Sequence, residues 1–227
     1  MNIIGDVAGR YHELMALLKQ MPDDDLLFVG DLNDRGRRTK EVIEFVMNNP
    51  RAKCLKSNHG SMMIAMYNLI NGTNYPCGNY DMESLLHPKN GCIDTARSYG
   101  GMEFVPKEVI EWLVDLPWYY QDDKLFVSHA PWHHLQTLEQ SCDLEGFHSL
   151  LWNRNVAWHI DPVNPPPLPL AERDRFQIYG HNGFFLEHKN ADGKLYGMCI
   201  DDSRNKVLTG VHWPTLEVFE QPYLTYY

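Results

Sequence analysis

The sequence predicts an α/β fold in which mixed β-sheet is flanked by helices. Two observations lead to this prediction. Short apolar runs alternate with amphipathic stretches through the first 70 residues, and the tail of the chain is rich in residues that favour strands. An alternating β-α order is typical of a parallel or mixed sheet with helices on its faces. We therefore expect one domain that spans residues 1–227.

The alternation is clearest in the first third of the chain. Apolar runs of three or four residues end at Gly-Asp pairs, and apolar side chains recur at helical spacing between them. The expected elements, in order, are a strand at 2–4, a helix at 10–20, a strand at 26–29, a helix at 41–47, a weaker strand at 53–56 and a helix at 62–69.

The rest of the chain is less regular. Residues 71–99 are rich in Gly, Asn and Tyr and predict an irregular surface excursion, followed by a short helix at 109–116. Apolar strands at 124–127 and 176–179 each run into a histidine. Between them, the proline-rich stretch 162–169 excludes a helix or an inner strand. We expect residues 195–223 to form a closing antiparallel set with a turn at 203–205.

Composition narrows the class of protein. The formal charge of −10 and the pI near 5.5 disfavour a general nucleic-acid binder, because phosphate backbones would be repelled. The five cysteines form no C-x-x-C pair, so neither a zinc knuckle nor a disulfide scaffold is indicated. No apolar run approaches the ~18 residues that a membrane helix needs. We expect a soluble cytoplasmic protein without membrane or nucleic-acid partners.

Polar side chains recur at the ends of the predicted strands. Each one alone has a simpler explanation, such as a helix cap or a loop residue. Together they combine carboxylate, amide and imidazole groups, which suit divalent transition metals. In open α/β sheets the carboxyl edge of the strands is where ligands collect. The candidates for metal ligands are Asp6, Asp31, Asn58, His129 and His181.

Five short motifs carry a family resemblance. They are GDVAG at 5–9, GDLNDRG at 30–36, SNHG at 57–60, SHA at 128–130 and GHN at 180–182. In this order they resemble the calcineurin-like metallophosphoesterases, specifically the serine/threonine phosphoprotein phosphatase branch. The segments TARSYG at 95–100 and LWNR at 151–154 are similar to phage and bacterial members of that branch. The resemblance implies mixed β-sheets arranged as a β-sandwich and flanked by helices.

The resemblance also implies a two-metal site. Asp31 would bridge two divalent ions, most simply Mn2+, with Fe or Zn as alternatives. Asn58, His129 and His181 would complete the second site, while Asp6 would belong to the first. Such a pair of ions would lower the pKa of a bridging water, which would attack phosphorus without a covalent intermediate.

The remaining roles implied by the resemblance concern the phosphate group and the proton. Arg35 and Arg154 would hold phosphate oxygens, because a guanidinium offers a planar fork of donors. Lys56 stands where similar enzymes carry an arginine, which makes it a weaker phosphate ligand. His59 would protonate the leaving oxygen, and Asp34 would hold its ring in position.

One position departs from the family pattern. Ala8 stands where the family carries a metal-binding histidine, so the first metal site is expected to be weaker. Three explanations remain open: water or another side chain replaces the missing ligand, the alanine was introduced to trap a bound state, or catalysis has been lost. His12 is a candidate replacement one helical turn away. We assign Asp201 and Asp202 to turn chemistry.

The predicted function is a metal-dependent phosphomonoesterase that acts on phosphorylated proteins or small phosphoesters. An alternative is a hydrolase of dinucleoside tetraphosphates, which would call for extra cationic groups along a longer phosphate chain. A third possibility is a catalytically impaired homologue that binds a phosphate or a partner, because Ala8 removes a metal ligand.

Overall fold

The computed structural model describes residues 1–87, 90–133, 136–146, 149–154 and 175–225. In the described part of the chain, strands and helices alternate as the sequence predicts for the first third. The strands are β1 Asn2–Ile4, β2 Leu26–Phe28, β3 Ala52–Cys54, β4 Tyr119–Gln121, β5 Leu125–Ser128, β6 Phe176–Tyr179, β7 Leu186–Lys189, β8 Leu195–Cys199, β9 Asp201–Asp202, β10 Val207–His212 and β11 Glu217–Pro222. The helices are α1 Tyr11–Leu18, α2 Thr39–Asn48, α3 Asn58–Asn71, α4 Met82–Leu86, α5 Cys92–Tyr99, α6 Lys107–Asp115 and α7 Leu138–Ser141.

The strands form two mixed sheets. The first has the order β11-β10-β1-β2-β3, with β9 also paired to β10; β1, β2 and β3 run parallel, and β10 is antiparallel to β1. The second has the order β4-β5-β6-β8-β7, with β5, β6 and β8 parallel to one another. Both sheets therefore direct the carboxyl ends of parallel strands toward a common edge.

The core follows from the two-residue period of the strands. Successive side chains point to opposite faces of a sheet. Ile3 and Leu27 face a cluster shared with Val127 and Ile178 of the second sheet, so the two sheets pack face to face. Ile4 and its neighbour Phe28 point the other way, into a larger cluster with the helices. The predicted α/β fold with a β-sandwich flanked by helices is thus confirmed.

The prediction for residues 71–99 was wrong. This segment contains α4 and α5, whose Leu85, Cys92 and Thr95 are buried, and α5 packs against α2. Its many Gly and Asn residues mark the helix ends: Gly91 precedes α5 and Gly100 follows it, both with left-handed backbone. Strands β4 and β7 were also missed, because both are edge strands whose exposed residues interrupt the apolar run. The proline-rich stretch 162–169 lies outside the described residues.

All five cysteines are free, in agreement with their scattered positions. Among the described residues, no helix combines the length and the apolar character that crossing a membrane requires.

Candidate metal centre and phosphoester site

The loops after three parallel strands bring Asp31, His129 and His181 together. Asp31 follows β2, His129 follows β5 and His181 follows β6. One ligating atom from each lies within 4.8 Å of the other two, and all three residues are buried. His129 Nε2 is 3.4 Å from an oxygen of Asp31. These residues come from both sheets, so the sandwich itself builds the cluster.

The hydrogen bonds of His129 determine which of its nitrogens is free to bind a cation. Its Nδ1 lies 3.0 Å from the carbonyl oxygen of Val29, which can only accept, so Nδ1 carries the hydrogen. Burial lowers the pKa of His129, against the opposing charge of Asp31, so the ring is neutral and Nε2 bears a lone pair. This lone pair faces Asn58 Oδ1 at 2.8 Å. Two acceptors at this separation repel each other unless a cation lies beside both.

The other two members of the cluster give the same indication. His181 Nε2 is buried and has no hydrogen-bond partner among the described residues. Burial lowers the pKa of His181 well below its ordinary value, and the charge of Arg154 adds to this effect. Burial raises the pKa of Asp31, but its neighbours, the His129 and His59 rings and the Arg35 guanidinium, lower it by more, so the carboxylate is ionised. A divalent cation fits this set of one carboxylate oxygen, one amide oxygen and two imidazole nitrogens.

Asp6 lies beside this cluster without being part of it. Its carboxylate accepts the backbone N–H of His181, with distances of 3.2 and 3.3 Å to the two oxygens. Burial, together with the charges of Asp201 and Asp31, raises the pKa of Asp6 well above its ordinary value. Three buried carboxylates so close together oppose ionisation of Asp6, and a nearby cation would relieve this opposition.

Asp201 was assigned to turn chemistry, and this is only part of its role. Its carboxylate does accept the backbone N–H groups of Gly183 at 2.5 Å and of Ser203 at 3.0 Å. The side chain is nevertheless only 3% exposed and electrostatically coupled to Asp6. Sequence reasoning missed it because a pair of aspartates after a strand is ordinary in turns.

A second group of side chains surrounds His59, at the start of α3. His59 Nδ1 lies 2.5 Å from Asp34 Oδ2, and Nε2 accepts a hydrogen bond from an Arg35 Nη atom at 3.0 Å. The His59 backbone N–H also approaches Asp31 at 3.3 Å. The ring therefore spans from the carboxylate of Asp34 to the edge of the metal-ligand cluster.

Asp34 is itself held by a residue that the sequence analysis did not identify. Thr95 Oγ1 donates to Asp34 Oδ1 at 2.5 Å and accepts the Asp34 backbone N–H at 2.9 Å. Thr95 lies in α5, within the segment expected to be irregular. The signal was the TARSYG motif at 95–100, which carried a family resemblance but no assigned role.

Of the three expected phosphate-binding residues, two line the cleft beside the cluster. Arg35 and Arg154 both line it, and Arg154 Nη1 donates to the His181 carbonyl at 2.9 Å. Lys56 points elsewhere: its ammonium donates to the Val114 carbonyl at 2.6 Å, at the end of α6. Lys56 is only 9% exposed, and its bond to the Val114 carbonyl caps the carboxyl end of α6. The structure thus gives no support for a phosphate-binding role of Lys56.

A model of the family "Calcineurin-like phosphoesterase" matches residues 2–190. The chain belongs to this family. Its membership confirms the predicted metallophosphoesterase class, whose members use divalent metals.

Named relatives add detail. A symmetrical bis(5'-nucleosyl)-tetraphosphatase of Vibrio vulnificus strain YJ016 is 31% identical over 94% of this chain and 77% of its own length. A symmetrical bis(5'-nucleosyl)-tetraphosphatase of Buchnera aphidicola subsp. Baizongia pistaciae is 32% identical over 70% of this chain, which spans about half of that protein (53%). A crystal structure assigned provisionally to a diadenosine tetraphosphatase has a TM-score of 0.65 at 16% identity, covers 99% of this chain and 94% of its own, and supports the fold alone.

Ala8 is the position at which the resemblance of the GDVAG motif implies a metal-binding histidine. The residue is 2% exposed and lines the cleft, and its backbone N–H donates to the Asp31 carbonyl at 2.7 Å. His12 lies in α1 with its ring 6.0 Å from that of Tyr11, and it is not among the residues that line the cleft. The structure therefore gives no support for His12 as the replacement ligand.

Proposed function

We propose that this protein is a metal-dependent phosphoester hydrolase in which water attacks phosphorus directly. The observation that carries the proposal is the position of the Asp34–His59–Arg35 group at the edge of the Asp31, His129 and His181 cluster. Bound at this cluster and at Asp6, a pair of divalent ions, most simply Mn2+, would supply a water of lowered pKa and would neutralise phosphoryl charge.

His59 provides the proton for the leaving oxygen. The carboxylate of Asp34 fixes the hydrogen on Nδ1 and holds the ring in position, which leaves Nε2 as the atom that transfers the proton. In the structure Nε2 accepts a hydrogen bond from Arg35. When a phosphate draws the guanidinium of Arg35 away, Nε2 becomes free to carry a proton. The phosphorus–oxygen bond then breaks as water adds, and the proton of His59 passes to the leaving oxygen.

Arg35 and Arg154 hold the phosphate that reacts. Both line the same cleft next to His181. Burial lowers the pKa of Arg154, although the charges of Asp31, Asp201 and Asp6 oppose this effect, and the group stays cationic. The two guanidinium groups can therefore neutralise the oxygens on which charge accumulates as water attacks.

For the substrate, we favour dinucleoside polyphosphates. The support is the function named for both the Vibrio and Buchnera relatives. Phosphoproteins remain the second candidate, on the grounds of the DRG motif at 34–36 and its histidine partner, which resemble the phosphoprotein phosphatase branch. We also propose that the chain works as one domain, since the family match extends across residues 2–190.

The test is hydrolysis of p-nitrophenyl phosphate as a function of added Mn2+, with Asp31→Asn as the control. We expect turnover that rises with Mn2+ and disappears in the control. Diadenosine tetraphosphate and a phosphopeptide panel, assayed at the same metal concentration, rank the two substrate classes by kcat/KM. A folded protein without turnover on any substrate would refute the proposal and favour the impaired, binding-only homologue.

A further inference from the structure

The cleft beside the metal-ligand cluster extends well beyond the residues assigned to the reacting phosphate. It encloses about 510 Å3. Its lining includes Arg35, Arg154 and His181, and also Arg204, Lys206 and the segment 223–225. This volume falls in the range typical of small-molecule pockets, roughly 300–1,000 Å3. The cleft is thus much larger than a single phosphate group requires.

The charge of the cleft is opposite to that of the protein. Among the described residues, five lysines and arginines line it, against a single acidic residue, Asp201. Besides Arg35 and Arg154, the basic residues are Arg10, Arg204 and Lys206. In a chain of net charge −10, such a concentration of cations gives this cleft a local attraction for anions.

Two of the additional cations pack against aromatic rings, and the backbone of the third is hydrogen-bonded. Arg10 stacks over the ring of Tyr223 at 3.5 Å, and Arg204 lies over the ring of Phe184 at 4.7 Å. The backbone N–H of Arg204 donates to the Gly183 carbonyl at 3.1 Å, two residues after His181. The strand β10 begins directly after Lys206, whose carbonyl accepts the N–H of Tyr223 at 2.8 Å. The ring contacts restrict the Arg10 and Arg204 side chains, which lowers the entropy that these two residues lose when they bind an anion.

Arg204 and Lys206 have another feature in common. Arg10 forms an ion pair with Glu13 at 3.6 Å, but within the described ranges neither Arg204 nor Lys206 is within ion-pair distance of a carboxylate. Their charges are therefore available to a ligand in the cleft.

We propose that Arg204 and Lys206, supported by Arg10, form a second anion subsite for the phosphate groups beyond the one that is hydrolysed. The subsite selects substrates with a phosphate chain over simple monoesters. This inference rests on the proposed hydrolysis at the metal-ligand cluster and assigns the specificity of the same cleft. An acidic phosphopeptide is the poorer fit, because the cleft has the volume of a small-molecule pocket.

The test compares two inorganic inhibitors of p-nitrophenyl phosphate hydrolysis, tripolyphosphate and orthophosphate, at a fixed concentration of free Mn2+. The variant is Arg204→Gln combined with Lys206→Gln. A matched control combines Lys19→Gln with Arg97→Gln, which removes the same charge from exposed positions that do not line the cleft. Because all variants meet the same free metal, chelation by tripolyphosphate affects them equally.

For the wild type and the matched control, we expect tripolyphosphate to inhibit at least about 10-fold more strongly than orthophosphate. In the cleft variant this preference falls about 10-fold, as expected for two contacts each worth roughly a factor of three. Inhibition by orthophosphate and the KM for p-nitrophenyl phosphate stay within about 2-fold.

Three outcomes would overturn the subsite: no preference in the wild type, an equal loss for both anions in the cleft variant, or the same loss in the matched control. If only inhibition by an acidic phosphopeptide depends on Arg204 and Lys206, the assigned ligand is wrong.

If the wild type hydrolyses nothing, the proposed function fails. The subsite is then tested by calorimetric titration of tripolyphosphate into the same three proteins, where equal affinity in all of them refutes it.

Discussion

Replacing Thr95 by valine tests whether the helix α5 supports the proton donor. The hydroxyl of Thr95 donates to the Asp34 carboxylate at 2.5 Å and accepts the Asp34 backbone N–H at 2.9 Å. Valine has nearly the same shape but neither a donor nor an acceptor. Thr95→Val therefore leaves a carboxylate oxygen and an N–H group of Asp34 without these partners in a buried site.

The expected cost follows from these two hydrogen bonds. A hydrogen bond to a charged group contributes about 1.5–3 kcal/mol, and a neutral one about 0.5–1.5 kcal/mol. The free energy of unfolding should thus fall by about 2–4 kcal/mol. For a chain of this size each kcal/mol shifts the melting temperature by about 2–4 °C, so Tm should fall by roughly 4–16 °C.

Activity should fall as well, because Asp34 orients His59. Loss of a group that positions a reacting side chain typically costs about 10–100-fold. We expect kcat for p-nitrophenyl phosphate to fall by that factor while KM changes little, since Thr95 does not line the cleft. Thr95→Ser keeps the hydroxyl and is the matched control. If Thr95→Val matches the wild type in both thermal unfolding and kcat, the assigned role of α5 is refuted.

Three further predictions follow from the site. His59→Gln should lower kcat by about 10²–10⁴ for a phosphoserine peptide but less for p-nitrophenyl phosphate, whose leaving group needs less protonation; equal losses would exclude His59 as the proton donor. Asp31→Asn should weaken Mn2+ binding by more than about 100-fold in a calorimetric titration, and unchanged affinity would exclude Asp31 as a ligand. Lys56→Met should lower Tm but leave kcat/KM within about 2-fold, because Lys56 caps α6; a selective rise in KM would restore its phosphate-binding role.

The sequence predicted the parts of the fold that depend on local periodicity. Buried strands that end at Gly30-Asp31 or at His129 could be predicted, because each is a run of three or four apolar residues followed by a polar residue. The helix α5 could not be predicted from such a local pattern. Among its eight residues only Cys92 and Thr95 are buried, and Thr95 contacts the loop that carries Asp34. Its helical state therefore depends on tertiary contacts that no local pattern contains.

In the candidate site, too, the local sequence pattern predicted some features, while others depend on tertiary contacts. Residue types at strand ends identified the members of the metal-ligand cluster, but they do not show where a long side chain points. Lys56 illustrates this limit, since the resemblance placed it where similar enzymes carry an arginine, while its ammonium turns to the end of α6. Arg204 and Lys206 were overlooked for the opposite reason. They lie far from the motifs in sequence, and only the pairing of β9 and β10 brings them to the cleft.

The backbone around Ala8 shows how the loops of the site are held without a contribution from the side chain at position 8. Ala8, Asp31, Asp34, Arg35 and His181 all have left-handed backbone, which costs about 1–3 kcal/mol for each such residue. The loops are nevertheless fixed, because the N–H groups of Ala8 and Gly9 donate to the carbonyls of Asp31 and Leu32 at 2.7 and 2.8 Å.

These bonds involve main-chain atoms only, so the placement of Asp6 and Asp31 does not depend on the side chain at position 8. Histidine tolerates left-handed backbone better than most residues. Ala8→His should therefore leave Tm nearly unchanged while it tightens Mn2+ binding at the weaker site by at least about 10-fold in a calorimetric titration. Unchanged affinity would mean that position 8 does not face the metal centre, and the loss of a ligand would no longer explain any difference from the family.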